Sequence, residues 1–366
     1  MIVEQFDVAV IGGGPAGVAV IGELLYQGIL NIVWFDPEPE SAGRLDNYHQ
    51  VPSNTKVGLF VKYGRHVGRV LEDPDAHVAA LTKLDPLKNC PLKYAADMVR
   101  SVKQGLRGKC KRLIDETVFD VEKCSLDQDF LVKTANFEAR AKTVILATGC
   151  HPKSPLFDNG KSIDLDVALD PSRLAEEIQK RKVTHVFVYG NSHSGVLVMK
   201  NLDALQVPFT CIHKRDPLYA LYLNDCEQII YDNTGLKGVA AEWCRANWDR
   251  IDKHCDLSTR IPDDAHVISA IGFERNRGVT ITTSGNTSFG IEDLIRVDSG
   301  RLAYKSKIID GLYGVGIAFP GKDVYSYNGE TIEEYSVGLW KFCRHIEKDV
   351  VDILAYLRRP HPNPSI

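Results

Sequence analysis

Apolar and polar positions along the chain fall into two copies of one pattern. Residues 6–11, FDVAVI, form a short apolar, β-branched run, and residues 18–26, VAVIGELLY, carry apolar positions at helical spacing. Between them lies IGGGPAG, and residues 31–35, NIVWF, supply a second strand that ends in Asp36. The order strand, glycine turn, helix, strand returns later in the chain. Residues 183–189, VTHVFVY, lead into YGNSHSG, residues 196–205 place apolar side chains on one helical face, and residues 207–212 form the next strand. The pattern predicts an α/β chain built from two strand-turn-helix units.

Each turn has a chemistry. In the first, Gly12, Gly14 and Gly17 stand as G-x-G-x-x-G. The first glycine permits the tight turn, the second lets backbone approach a pyrophosphate, and the third lets helix and strand close. The helix N-terminus then offers its free N–H groups to phosphate. Asp36, 24 positions after Gly12, is placed to accept ribose hydroxyls. In the second turn Gly190 and Gly195 remain, and Ser192 takes the middle position, where its hydroxyl can bond phosphate. The strand that follows ends in His213, Lys214 and Arg215. Taken alone this triplet reads as a solvated turn. At the end of the second strand of a nucleotide unit it suits the 2′-phosphate of NADPH, which an aspartate would repel. His193 within the turn either meets a nucleotide or faces solvent.

Farther on, two short strand patterns at 117–122 and 130–134 precede residues 142–149, KTVILATG, as a small meander returning to the first sheet. IGGGPAG, then Asp36, then ILATG is the order found in flavoproteins with two dinucleotide-binding domains, and the chain resembles that group. The resemblance implies an FAD-binding Rossmann-like domain with an inserted NAD(P)-binding Rossmann-like domain. Its parts are residues 1–155, an insert at 156–272 that closes on HVISAIG, and a return at 273–366, with a crossover at 151–160. Gly12, Gly14, Pro15, Ala16, Gly17 and Asp36 would hold FAD, joined by Arg44, Val118, Thr148, Gly149, Gly316 and Ala318. Gly190, Ser192, Ser194, Gly195, His213, Lys214 and Arg215 would hold NADPH.

Within the group, residues 41–60 look most like flavin monooxygenases. The resemblance places Asn54, beside Thr55, near the flavin edge where oxygen adds to give a C4a-hydroperoxyflavin; a loop asparagine that satisfies its own turn is the competing reading. Three features depart from the group. No F-x-G-x-x-x-H occurs in residues 157–169, Gly316 is followed by Ile317 and Ala318 where Gly-Asp is usual, and no paired cysteines stand beside the flavin. Residues 331 and 334, Thr and Glu, fit a capping box and predict that the last helix starts near Gly329. Tyr219, Tyr222, Tyr231, Trp243 and Trp248 read as core or as a lid over a substrate.

Composition sets bounds on this picture. A length of 366 residues at ~150 per domain fits about two domains. A formal net charge of −4 gives no general attraction to nucleic acid or to an anionic membrane. The nine cysteines form no C-x-x-C pair and no metal-ligating set, so a reduced, cytoplasmic chain is expected. The N-terminus carries no signal-peptide pattern, and no stretch reaches the ~18 apolar residues of a membrane span. The expected activity is an NADPH-reduced FAD monooxygenase acting on a small nucleophilic molecule, with a homodimer allowed for. A flavin reductase serving a quinone or redox protein, and a non-catalytic nucleotide sensor, are the alternatives.

Overall fold

The computed structural model of the protein describes residues 3–124, 128–155, 161–223, 228–256, 261–283 and 285–359. Of the crossover expected at 151–160, residues 156–160 lie outside them.

Two sheets, the first mixed and the second parallel, answer to the two sequence units. In the first, strand Glu4–Ile11 is flanked by Ile32–Phe35 and Glu138–Leu146, both parallel to it, with Arg112–Ile114 beyond one and Lys307–Gly314 beside the other. Asp120–Lys123, Phe130–Lys133 and Glu138–Leu146 form the antiparallel meander expected from the sequence. In the second sheet, the order Asp252–His254, Phe209–Ile212, Val186–Tyr189, His266–Ser269 is parallel throughout. The chain then returns, and Thr280–Thr282 pairs with Asp120–Lys123 in the first sheet. A two-stranded ladder, Cys150–Pro152 with Phe273–Arg275, carries the chain out and back between the two lobes.

Helix Pro15–Tyr26 lies on the first sheet with Val18, Ile21 and Leu24 fully buried; helix His193–Ala204 does the same on the second with Val196, Val198 and Leu202. Such side chains contribute roughly 1.5–3 kcal/mol each when removed from water. The two turns are the same object built twice. Gly12 and Gly190 have φ of +114° and +99°, and a Cβ on either would lie 2.4 Å from a carbonyl oxygen, of Ala147 or Ala270. A Cβ at Gly17 or Gly195 would sit 2.0 Å from the carbonyl oxygen of Gly12 or Gly190. The residues that open the helices match too, Gly14 at φ −74°, ψ −175° and Ser192 at φ −81°, ψ −171°.

The last helix corrects an expectation. It runs Leu339–Leu357 and opens after Gly338, whereas residues expected to start it form a hairpin, Gly321–Tyr327 with Glu330–Ser336. Asn328 and Gly329 at φ +50° and +83° make the two-residue loop, a turn that needs positive φ at both positions and favours Asn-Gly. Period-two burial of Glu334 and Ser336 then outweighs the capping-box pattern. No helix among the described residues is long and apolar enough to cross a membrane.

The glycine positions make a stability prediction. Gly17→Ala and Gly195→Ala force helix from strand and are expected to lower stability by about 1–3 kcal/mol, as overpacked sites do. Gly14→Ala, whose Cβ meets nothing within 4 Å, should leave the denaturation midpoint of the flavin-free protein in place. Urea denaturation of the three variants checks both statements.

Candidate active site

A cavity of about 650 Å³ opens over the first turn, inside the ~300–1,000 Å³ range of small-molecule sites. Gly12, Gly14, Pro15, Ala16, Asp36, Arg44, Val118, Thr148 and Gly149 all stand on its walls. Gly17 acts from behind, by letting the helix close on Gly12. Gly316, at φ +72°, would place a Cβ 2.4 Å from that of Ala16, so its part is to let the strand end press on the helix start. Its neighbour Ile317 reaches this cavity, while Ala318 faces an adjoining recess of about 1080 Å³. Asn54 lies on strand Pro52–Lys56, accepts a hydrogen bond from the Thr55 hydroxyl at 3.3 Å and is absent from the cavity wall.

The walls fit a flavin nucleotide. Gly14 leaves open space where a side chain would stand. Arg44 Nε and Thr148 Oγ1 are buried with no hydrogen-bond partner, a costly state for polar atoms that a ligand acceptor or donor would relieve. The N-terminus of helix Leu339–Leu357 also reaches this space through Leu339.

Several residues that the sequence did not announce hold this frame. Trp34 donates its indole N–H to the Gly12 carbonyl at 3.0 Å, and Tyr63 donates its hydroxyl to the Pro15 carbonyl at 2.6 Å. Lys103, 1% exposed, pairs with Asp36 and donates to the carbonyls of Glu38 and Ser41 at 3.0 and 2.7 Å. The Asp36 carboxylate in turn lies directly against Gly13, where a Cβ would come within 1.9 Å of it. Arg44 bonds both oxygens of Asp166 at 2.6 and 2.7 Å, and Tyr48 donates to the same carboxylate at 2.7 Å. Asp166 belongs to helix Leu165–Ala168, so this contact joins the first-turn cavity to the second lobe. Across the seam, Glu334 on the hairpin accepts from Asp232 N at 3.0 Å and from the Thr234 hydroxyl at 3.2 Å.

A second cavity, of about 520 Å³, opens over the other turn and is lined by Gly190, Ser192, His213, Lys214 and Arg215. The Ser192 hydroxyl caps nothing within its own helix and remains available at the helix N-terminus. Lys214 and Arg215 are exposed, whereas His213 is buried, its ring edge-on to Trp248 at 5.1 Å and its Nδ1 3.0 Å from the Arg215 carbonyl. His213 therefore fastens the turn that presents the two cations. Gly195 closes helix on strand, and Ser194 is partly buried and off the cavity wall. His193 does not line it either; burial, reinforced by Lys237, brings its pKa down to about 4, so the ring is neutral near pH 7.

Cys150 stands on the wall of the first cavity, and burial pushes its thiol up to about 11 against the pull of Arg275 and Arg44. It is a thiol and not a thiolate at neutral pH, with little nucleophilicity. None of the described cysteines is in a disulfide. Cys226 lies outside the described residues.

The buried Lys103–Asp36 pair makes a prediction. Lys103→Met strands a buried carboxylate and should cost about 3–5 kcal/mol, while Lys103→Met with Asp36→Leu should recover most of it. Thermal and urea denaturation of the flavin-free proteins measure the difference, and both variants should retain less flavin through purification.

Comparison with known proteins agrees with this geometry. Residues 6–292 match the family described as pyridine nucleotide-disulphide oxidoreductase. A curated protein, monooxygenase AgnR1 of Paecilomyces divaricatus, is 34% identical over 394 aligned positions, covering 94% of this chain and 97% of the relative. Among solved structures, the bacillithiol disulfide reductase Bdr of Staphylococcus aureus superposes with a TM-score of 0.61 at 14% identity, covering 96% of this chain and 99% of the other. L-lysine 6-monooxygenase of Pseudomonas syringae gives 0.61 at 11% identity over the same shares. Ornithine hydroxylase of Pseudomonas aeruginosa gives 0.60 at 14%, covering 97% and 100%. These likenesses show the shared two-lobed fold. With two matched turns, each over its own cavity, and a family match across most of its length, the chain belongs to the pyridine nucleotide-disulphide oxidoreductase family and is a flavin-dependent oxidoreductase.

Proposed function

We propose that the protein is an FAD monooxygenase reduced by NADPH, acting on a small nucleophilic molecule. The observation that carries this reading is the cation-lined second cavity beside a first cavity without a thiol pair. Lys214 and Arg215 suit a 2′-phosphate, and the thiol nearest the first cavity is protonated. Among the described residues no thiol pair stands at the first cavity to take electrons from the nucleotide, which favours oxygen as the acceptor. The monooxygenase name of the 34% identical relative supports the same reading.

Bound FAD would supply hydride acceptance and oxygen activation. In the overall balance, substrate, O₂, NADPH and a proton give oxygenated substrate, water and NADP⁺. The chain's own part is placement. Gly12 and Gly14 admit the pyrophosphate to the N-terminus of helix Pro15–Tyr26. Asp36, fixed by Lys103, accepts ribose hydroxyls. Arg44 Nε and Thr148 Oγ1, unpartnered polar atoms of cavity-lining residues, would bond the flavin nucleotide. Asn54, off the cavity wall with its amide oxygen on the Thr55 hydroxyl, is proposed for the flavin edge where oxygen adds. Ser192 and the helix it opens take the second nucleotide's pyrophosphate.

Two outcomes are expected. Anaerobic titration with NADPH should bleach the purified yellow protein, and oxygen uptake should yield oxygenated product from a panel of amines, thioethers and phenols. Peroxide as the sole oxygen product across that panel, with faster turnover on a quinone, assigns the chain to the flavin reductases instead. Changing Lys214 and Arg215 together to glutamine should weaken NADPH binding by roughly ten- to a hundredfold, since charge-assisted bonds contribute about 1.5–3 kcal/mol, and should change NADH binding less than about threefold.

A further inference from the structure

The second cavity contains a cation that neither glycine turn predicts. Lys153 follows strand Cys150–Pro152 on the crossover between the lobes, and its backbone N–H donates to the Gly272 carbonyl at 3.0 Å. Its side chain is exposed and stands on the wall that Gly190, Ser192, Lys214 and Arg215 also form. Among the described residues none of Lys153, Lys214 and Arg215 has a carboxylate partner within ion-pair distance, and Asp216 is the sole acid lining the cavity. Three unpaired cations around one helix N-terminus fit a ligand with more than one anionic group.

The cations are not all on one side. Gly190 follows the strand Val186–Tyr189, which lies between Phe209–Ile212 and His266–Ser269. Lys214 and Arg215 follow the first neighbour; Ala270 and Ile271, which share the cavity wall, follow the second, and Lys153 is tied to Gly272 just beyond them. A dinucleotide on such a sheet crosses the carboxyl ends of the strands with its pyrophosphate over the glycine turn, and its adenosine ribose at the end of the strand after the helix. Lys214 and Arg215 are on that adenosine side. Lys153 is on the opposite side of the turn.

We propose that Lys153 holds the nicotinamide-side phosphate of the bound nucleotide, which makes it a pyrophosphate ligand supplied by the crossover and shared by NADPH and NADH. The assignment rests on the reading of this cavity as a nicotinamide nucleotide site. It divides the cationic wall into two functions: Lys214 and Arg215 choose between the two nucleotides, and Lys153 tightens both. Lys153 stands three residues after Cys150, which is on the wall of the first cavity, so one short segment of chain reaches both cavities.

Isothermal titration of the flavin-loaded protein with NADP⁺, NAD⁺ and adenosine 2′,5′-bisphosphate tests the division, since the last carries the 2′-phosphate and the adenosine-side phosphate only. Lys153→Gln should weaken NADP⁺ and NAD⁺ alike, by about tenfold as expected for one charge-assisted contact, and leave the bisphosphate within about twofold of the parent. Lys153→Arg should retain binding of all three within about threefold. A loss confined to NADP⁺ and the bisphosphate moves Lys153 to the 2′-phosphate and overturns the proposal, as does an unchanged affinity for NADP⁺. Where NAD⁺ binds too weakly to titrate, the contrast between NADP⁺ and the bisphosphate decides. A parent protein that binds NADP⁺ not at all withdraws the nucleotide reading itself, an outcome separate from failure of the Lys153 variant alone.

Discussion

A carbonyl oxygen and the hydrogens of a glycine set how closely a helix can begin above a strand, and both lobes depend on that approach. At Gly17 and at Gly195 a methyl group would stand 2.0 Å from the oxygen it faces. Closing the gap lets the helix start directly over the strand end, so its free N–H groups point into the cavity. Everything else at the two sites is arranged around this contact. Trp34 fixes the carbonyl of Gly12, Tyr63 fixes that of Pro15, and the Asp36 carboxylate occupies the room that the missing side chain at Gly13 leaves.

The middle position of each turn is not fixed by packing. Gly14 faces open space, and Ser192, with nearly the same backbone angles, opens its helix without strain. For this reason a serine is tolerated where the sequence pattern asks for glycine, while the first and third positions are glycine in both turns. The two cavities differ in what surrounds them: orphaned polar atoms and a fixed acid in one, unpaired cations in the other.

Local sequence carried the parts of this architecture that depend on neighbours in the chain. The strand-turn-helix units, the meander and Asp36 were legible because burial period and glycine spacing are properties of short segments. Partners brought in from afar were not. Lys103 lies 67 positions beyond Asp36 on helix Leu92–Arg107, and its sequence context reads as an ordinary solvated helix face. Asp166 reaches Arg44 across 122 positions, and nothing in either segment marks the pair. His213 belonged to a basic triplet by sequence, but Trp248, 35 positions on, turns it into a packing residue. At the C-terminus two local signals competed. Thr331 and Glu334 spelled a helix start, Asn328-Gly329 spelled a hairpin, and the longer-range bonds from Asp232 and Thr234 to Glu334 accompany the hairpin.

The seam between the lobes combines polar contacts, Arg44 and Tyr48 on Asp166 and Glu334 beneath the 232–234 segment, with an apolar contact in which Val51 packs into the core of the second lobe. The polar contacts release donors and acceptors that water can satisfy, so each has a net strength of only about 1 kcal/mol, or more where charges meet. Separating the strands inside either sheet would instead bare tightly packed hydrocarbon. Water can therefore replace the polar contacts of the seam before it reaches either core. These contacts part at lower cost than any sheet, so a displacement of one lobe against the other would leave each sheet and its core intact.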